Sequence, residues 1–378
     1  MPIPRPLTNV LLLAATMFVT ACSSIFDGNG GSPLRRLWHT PLDHGNWSSL
    51  PTVVDGTVIL PGRGTLFGLD AETGARRWSA TIFTTGQSIS AGNVSARNGR
   101  ACVADLYGSG CVDPVTGHVI WTGPSDSANG SSDMDDSSLY FGTRRHTVVS
   151  RSVADGSVRW ETDIAPNAPF LTRVFGVVVR GDTLYAATVR WLNNNGFQAV
   201  GDLIALDRTT GRELWRFTPS ETSGFQGPPV LAGNLAIVND VNAHVLRAID
   251  LSTHNQVWVT QVAPDGYITA ETSPVVAGDT LFVGSTDTQL HVLDVNTGAY
   301  RWRVVTNAGS IGSTALCGRY VVVLPFVGGP PSVIDRETHT ARIANVLVDN
   351  DLVIGRVAVD GPRIYAESYA GVYAFSCG

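Results

Sequence analysis

The sequence predicts an all-β fold, an eight-bladed β-propeller of four-stranded antiparallel blades. Three observations predict it: a recurring phrase D-x-x-T-G-x-x-x-W, period-two apolar alternation upstream of each copy, and tryptophans that recur about every 40 residues. The composition agrees, with 43% hydrophobic residues, only 15% charged residues and 40 glycines, as short buried strands joined by tight turns require.

The phrase is clearest in LHVLDVNTGAYRW, residues 290–302, with Asp294, Thr297, Gly298 and Trp302. It returns at Asp70-Gly74-Trp78, Asp113-Gly117-Trp121 and Asp207-Gly211-Trp215. Weaker copies are Ser152-Gly156-Trp160, Asp250-His254-Trp258 and Asp335-His339, where Ile343 takes the tryptophan place. Asp and Thr side chains in such a turn fold onto nearby backbone N–H groups, and Gly supplies a positive φ. Trp falls on the outer strand, where its indole covers a sheet edge and reaches the neighbouring sheet.

Upstream of Asp294, TSPVVAG and DTLFVGST alternate apolar and polar residues and break at Gly-Asp, the pattern of a meandering antiparallel sheet. Each unit therefore has four strands. The ends complement each other: LRRLWHTPL, residues 34–42, carries Trp38 without three strands of its own, and the chain finishes at GVYAFSCG without an outer strand. Pairing the N-terminal strand with the C-terminal hairpin closes the last blade and hides two sheet edges.

The segments before the repeats read differently. Residues 1–21 carry Arg5 and the apolar run VLLLAATMFV, too short to span a bilayer comfortably, and are expected to be a cleaved export signal. V-T-A-C at 19–22 resembles a lipobox, which implies lipidation of Cys22; a plain secretory peptide with Cys22 removed is the alternative. Residues 22–33 read as a flexible tether, and 34–378 as the propeller. Four cysteines remain. The repeat register sets Cys102 and Cys111 on facing strands of one hairpin, which favours that disulfide and leaves Cys317 with Cys377.

Charge and motif content narrow the function. The net charge is −6 and all 26 basic residues are Arg, so nucleic-acid binding, Schiff-base lysine chemistry and a P-loop are excluded. No catalytic residue is assigned. Asp70, Asp294 and their counterparts are turn-formers by position, and the eight histidines lack ligand spacing. No metal is expected; Asp133, Asp135 and Asp136 in SSDMDD are weak candidates for a hard cation, with a solvated turn as the simpler reading. Asn46 and Asn129 lie in glycosylation sequons.

One departure from the repeat stands out. Against DTLFVGSTDTQLHVLD, the unit DTLYAATVRWLNNNGFQAVGDLIALD inserts extra residues between its second and third strands. The insert carries Trp191, Leu192 and Phe197, which are candidates for a partner-binding loop; the alternative is that Trp191 and Phe197 fold back on the propeller as a private mini-core.

The repeat resembles the PQQ-type propeller repeat, and residues 34–378 behind the lipobox look like the BamB family of outer-membrane assembly lipoproteins. That resemblance implies a non-enzymatic scaffold without cofactor, lipid-anchored at the periplasmic face of the outer membrane. It also implies that the partners are periplasmic or outer-membrane proteins, such as the POTRA domains of the barrel-inserting protein BamA. PQQ-dependent quinoprotein oxidoreductases share the repeat, but they resemble longer chains with an adjacent-cysteine disulfide, Ca²⁺ and a catalytic Asp. A propeller binding a ligand in its channel is the third class.

Overall fold

A computed structural model describes residues 33–42, 50–62, 64–83, 94–124, 127–167, 172–193, 199–262, 274–306, 309–348 and 351–377. Among these residues every regular element is a β-strand. The strands form six four-stranded sheets and one nine-stranded sheet. The nine-stranded sheet is two four-stranded sets, joined where Ser131 pairs in parallel with Gly176, plus the short strand Ala199–Val200. Cys22 and Phe197, like Asn46, lie outside the described residues.

Apart from the one that joins the chain ends, the four-stranded sheets are meanders, as in Val275–Ala277, Thr280–Gly284, Gln289–Asp294 and Tyr300–Val305. The second and third strands are the buried ones. In Thr280–Gly284 the four residues Leu281 to Gly284 are buried, whereas Tyr300–Val305 alternates exposed and half-buried residues. Apolar clusters lie between neighbouring sheets: Ile237 and Leu246 of one contact Leu281, Val283 and Leu293 of the next. Burying a Leu or Ile this way contributes about 1.5–3 kcal/mol, so the sheet-to-sheet contacts hold the assembly together.

The Asp turns are built alike. Asp294 Oδ1 accepts the backbone N–H groups of Asn296 and Thr297, both at 3.0 Å, and the Thr297 hydroxyl at 3.1 Å. Asp70, Asp113 and Asp207 repeat the arrangement. Hydrogen bonds from Thr73 hold the Asp70 carboxyl at a pKa of about 2.

The Gly of each turn serves the neighbouring sheet as well as its own. Gly74, Gly117, Gly156, Gly211 and Gly298 all have φ between 70° and 75°. A Cβ on Gly211 would lie 2.5 Å from the Trp160 ring, and one on Gly117 2.5 Å from Trp78. Trp38, Trp78, Trp121, Trp160 and Trp258 thus rest on the bare turn of the following unit. Their indole N–H groups donate to that turn: Trp78 to Pro114 O at 2.9 Å, Trp121 to Val153 O, Trp160 to Arg208 O and Trp258 to Val295 O at 3.0 Å. Trp38 does the same to Ala71 O at 3.3 Å.

The ends of the chain meet. Leu34–Pro41 pairs antiparallel with Gly371–Cys377, Leu34 opposite Cys377, in the sheet completed by Arg363–Ser368 and Val353–Asp360. Cys317, on Ile311–Cys317 of the preceding sheet, forms a disulfide with Cys377. Cys102 and Cys111 form the other, directly opposite each other on Arg100–Asp105 and Gly108–Val112.

Candidate functional site

Antiparallel meanders put successive turns on opposite faces. The Asp turns and the turns between first and second strands share one face, as the Arg336 bond to Gly318 O shows. Leu34 and Cys377 end there too. Turns between second and third strands lie on the other face, and the insert is one of them.

The insert lengthens a hairpin. Thr183–Trp191 pairs with Ala199–Val200, Trp191 opposite Ala199, and then with Leu203–Asp207. Its base is fastened by polar bonds: Thr188 N–H to Asp202 O at 3.0 Å, Ser223 N–H to Ala199 O at 2.9 Å and Gly201 N–H to Ser223 Oγ at 2.7 Å. The buried Asp202 carboxylate accepts from Thr218 Oγ1 at 2.6 Å and pairs with Arg216 at 3.2 Å and Arg190 at 3.5 Å. Trp191 is half-buried, with the Arg173 guanidinium 5.5 Å from its ring centroid, and Leu192 is 42% exposed. Leu192 faces solvent, and Trp191 sits against a cation.

The arginines beside Trp191 lie far from it in the chain. Arg144 donates from Nε to Asn129 Oδ1 at 3.2 Å, and Asn129 Nδ2 donates to Val174 O at 3.0 Å, next to Arg173. Burial, with the nearby Arg144 charge, pushes the Arg173 pKa down. Asn129 is itself buried at 7% exposure, so its sequon is closed to a glycan in the folded chain.

The acidic cluster is dispersed, against the cation-site reading. Asp133 accepts backbone N–H groups from Met134 and Val179, both at 2.8 Å; burial raises its pKa. Asp135 accepts Ser137 N–H, Ser138 N–H and the Tyr140 hydroxyl, and pairs with Arg208 at 3.3 Å. Asp136 pairs with Arg97 at 3.0 Å. The solvated-turn reading also needs correction, since Asp135 is only 9% exposed. Among the described residues no group of His, Cys, Asp and Glu could hold a metal ion. A cleft of about 440 Å³ lies on the inner strands, lined by Thr52, Ser95, Arg97, Ser132, Asp133 and Val357.

Known proteins share this architecture. The fold superposes on BamB from Moraxella catarrhalis with a TM-score of 0.69 at 16% identity, covering 91% of this chain and 100% of that one. It superposes on a europium-containing methanol dehydrogenase with a TM-score of 0.70 at 12% identity, covering 91% and 86%. Such identities show the fold alone. The serine/threonine-protein kinase AfsK of Streptomyces griseus is 26% identical over 214 residues, 56% of this chain and 21% of the kinase, so the chain spans about a fifth of that relative's length. The family model described as outer membrane protein assembly factor BamB matches residues 32–162 and 164–376, and with the PQQ-like repeat turns just described the chain belongs to that family.

Proposed function

We propose that this protein is a periplasmic, outer-membrane-anchored scaffold that binds protein partners in the assembly of outer-membrane β-barrel proteins, without catalysing a reaction itself. The observation that carries this reading is the family match over residues 32–162 and 164–376. In this reading residues 1–21 are the export signal, Cys22 bears the lipid, 22–33 form the tether and 34–378 form eight blades. Pairing of Leu34–Pro41 with Gly371–Cys377 and the Cys317–Cys377 bond support a ring closed by its own ends. The chain then leaves the fold towards its anchor from the Asp-turn face, where Leu34 starts. The hairpin end at Trp191 and Leu192 faces away, offered to periplasmic domains such as the POTRA domains of a BamA-like protein, and Phe197 is proposed as part of the same binding loop.

A photo-crosslinking residue at Leu192 in cells tests this. The expected product joins this chain to a periplasmic or outer-membrane protein, and replacing Trp191 and Phe197 with Ser should remove it while the fold persists. Failure to crosslink any envelope protein from this face overturns the scaffold reading. The likeness to a methanol dehydrogenase supports a second reading, a PQQ-dependent oxidoreductase. Supplying PQQ and Ca²⁺ and measuring dye-linked alcohol oxidation decides between the two.

A further inference from the structure

The face that carries the insert also carries arginines with no ion-pair partner among the described residues. Arg144 makes one side-chain bond, to a neutral amide; Arg145 is exposed and Arg173 half-buried. None of the three has a carboxylate within ion-pair distance among the described residues. Among the described residues nearby, the Asp202 carboxylate pairs with Arg190 and Arg216, and Asp163 Oδ1 lies 2.9 Å from His146 Nδ1. Arg173 Nε is buried without a hydrogen-bond partner. A buried cationic donor left unpaired costs stability, and this one lies beside an aromatic ring and an exposed leucine. The chain as a whole carries a net charge of −6, so the patch opposes the global sign.

We infer that Arg144, Arg145 and Arg173, with Trp191 and Leu192, form a docking surface for an acidic segment of a protein partner, whose carboxylates pair with the guanidinium groups while an apolar side chain rests on Trp191 and Leu192. Arg forks match carboxylates bidentately. Charge complementarity selects the occupant, and the location selects its class: the patch lies opposite Leu34, where the chain leaves towards its N-terminus, so an anchored disc turns it away from the lipid headgroups. The inference rests on the scaffold reading and supplies the chemistry of its partner.

Fluorescence anisotropy of a labelled deca-glutamate peptide with the purified protein tests it at low salt. The expected result is saturable binding that weakens at least tenfold in Arg144→Gln/Arg145→Gln, weakens as much in Arg145→Glu, and fades as salt rises. Arg145 is exposed, so the second variant keeps its fold. Binding no tighter than that of a deca-serine peptide, or indifferent to both variants, overturns the inference. So does co-sedimentation with phosphatidylglycerol vesicles that competes with the peptide, because the patch would then be a membrane contact. Crosslinking from Leu192 that persists in Arg145→Glu sinks the acidic-segment inference alone, whereas absence of any crosslink in the parent protein sinks the scaffold reading.

Discussion

The imidazole of His339 lies against the indole of Trp302, ring centroids 4.2 Å apart and planes within 17° of parallel. Trp215 and His254 repeat the contact at 4.5 Å and 17°. Both histidines occupy the Gly place of the turn and adopt its positive φ, 57° and 61°. A Cβ there keeps the indole from settling on the backbone, and neither Trp215 nor Trp302 donates to the following turn as its counterparts do. Stacking replaces the seat and the hydrogen bond together.

His339→Ala should destabilise the protein by about 1 kcal/mol, the value of an aromatic pair beyond its buried area. His339→Gly removes the left-handed strain and admits the indole, so its melting temperature should stay at or above that of the parent. Calorimetry gives both values, and Trp302 emission should shift to the blue only in the Gly variant.

At the seats themselves the sign reverses. Gly211→Ala places a side chain at φ 73° and within 2.5 Å of Trp160 and Thr162. The expected loss is about 1–3 kcal/mol, from strain alone at the lower end. A urea denaturation midpoint unchanged by this substitution would remove the seat argument.

The two disulfides should differ in worth. Cys317 and Cys377 are separated by 60 residues, Cys102 and Cys111 by 9. Loop-closure entropy assigns about 4 kcal/mol to the longer loop and about 2.5 kcal/mol to the shorter. Cys377→Ser should therefore lower the melting temperature more than Cys111→Ser, and it should also expose the Leu34–Pro41 strand to hydrogen exchange.

Acid should loosen the turns over a defined window. The folded Asp70 pKa is about 2, below the usual carboxylate value, through bonds from Thr73, and Asp113, Asp207, Asp250 and Asp294 are also lowered. A depressed pKa means stability fully present above about pH 4 and lost as pH falls towards 2. Melting temperatures measured across that range should fall, and Asp70→Asn should flatten the slope.

The repeat was legible because its chemistry is local. Asp, Thr and Gly act within one turn, and period-two alternation marks each strand, so the four-stranded units and the Cys102–Cys111 pairing follow from residue order. The insert was legible too, as an interruption of that order. The acidic run Asp133, Asp135 and Asp136 was only partly legible, because adjacency in sequence hid three different neighbours: Val179, Tyr140 and Arg97. Arg144 and Arg145 stand in the sequence without a nearby acid, the one signal available for the basic patch.

Short-range order, then, dictated the strands, the turns and their glycines, since those depend on φ preference and on hydrogen bonds a few residues apart. Tertiary structure alone decided which surfaces meet: that Trp160 seats on Gly211, that Arg173 lies over Trp191, and that a patch of positive charge shares a face with the insert. Those contacts join residues brought together only when sheet packs on sheet, where buried apolar area and the loss of water around paired charges set the arrangement.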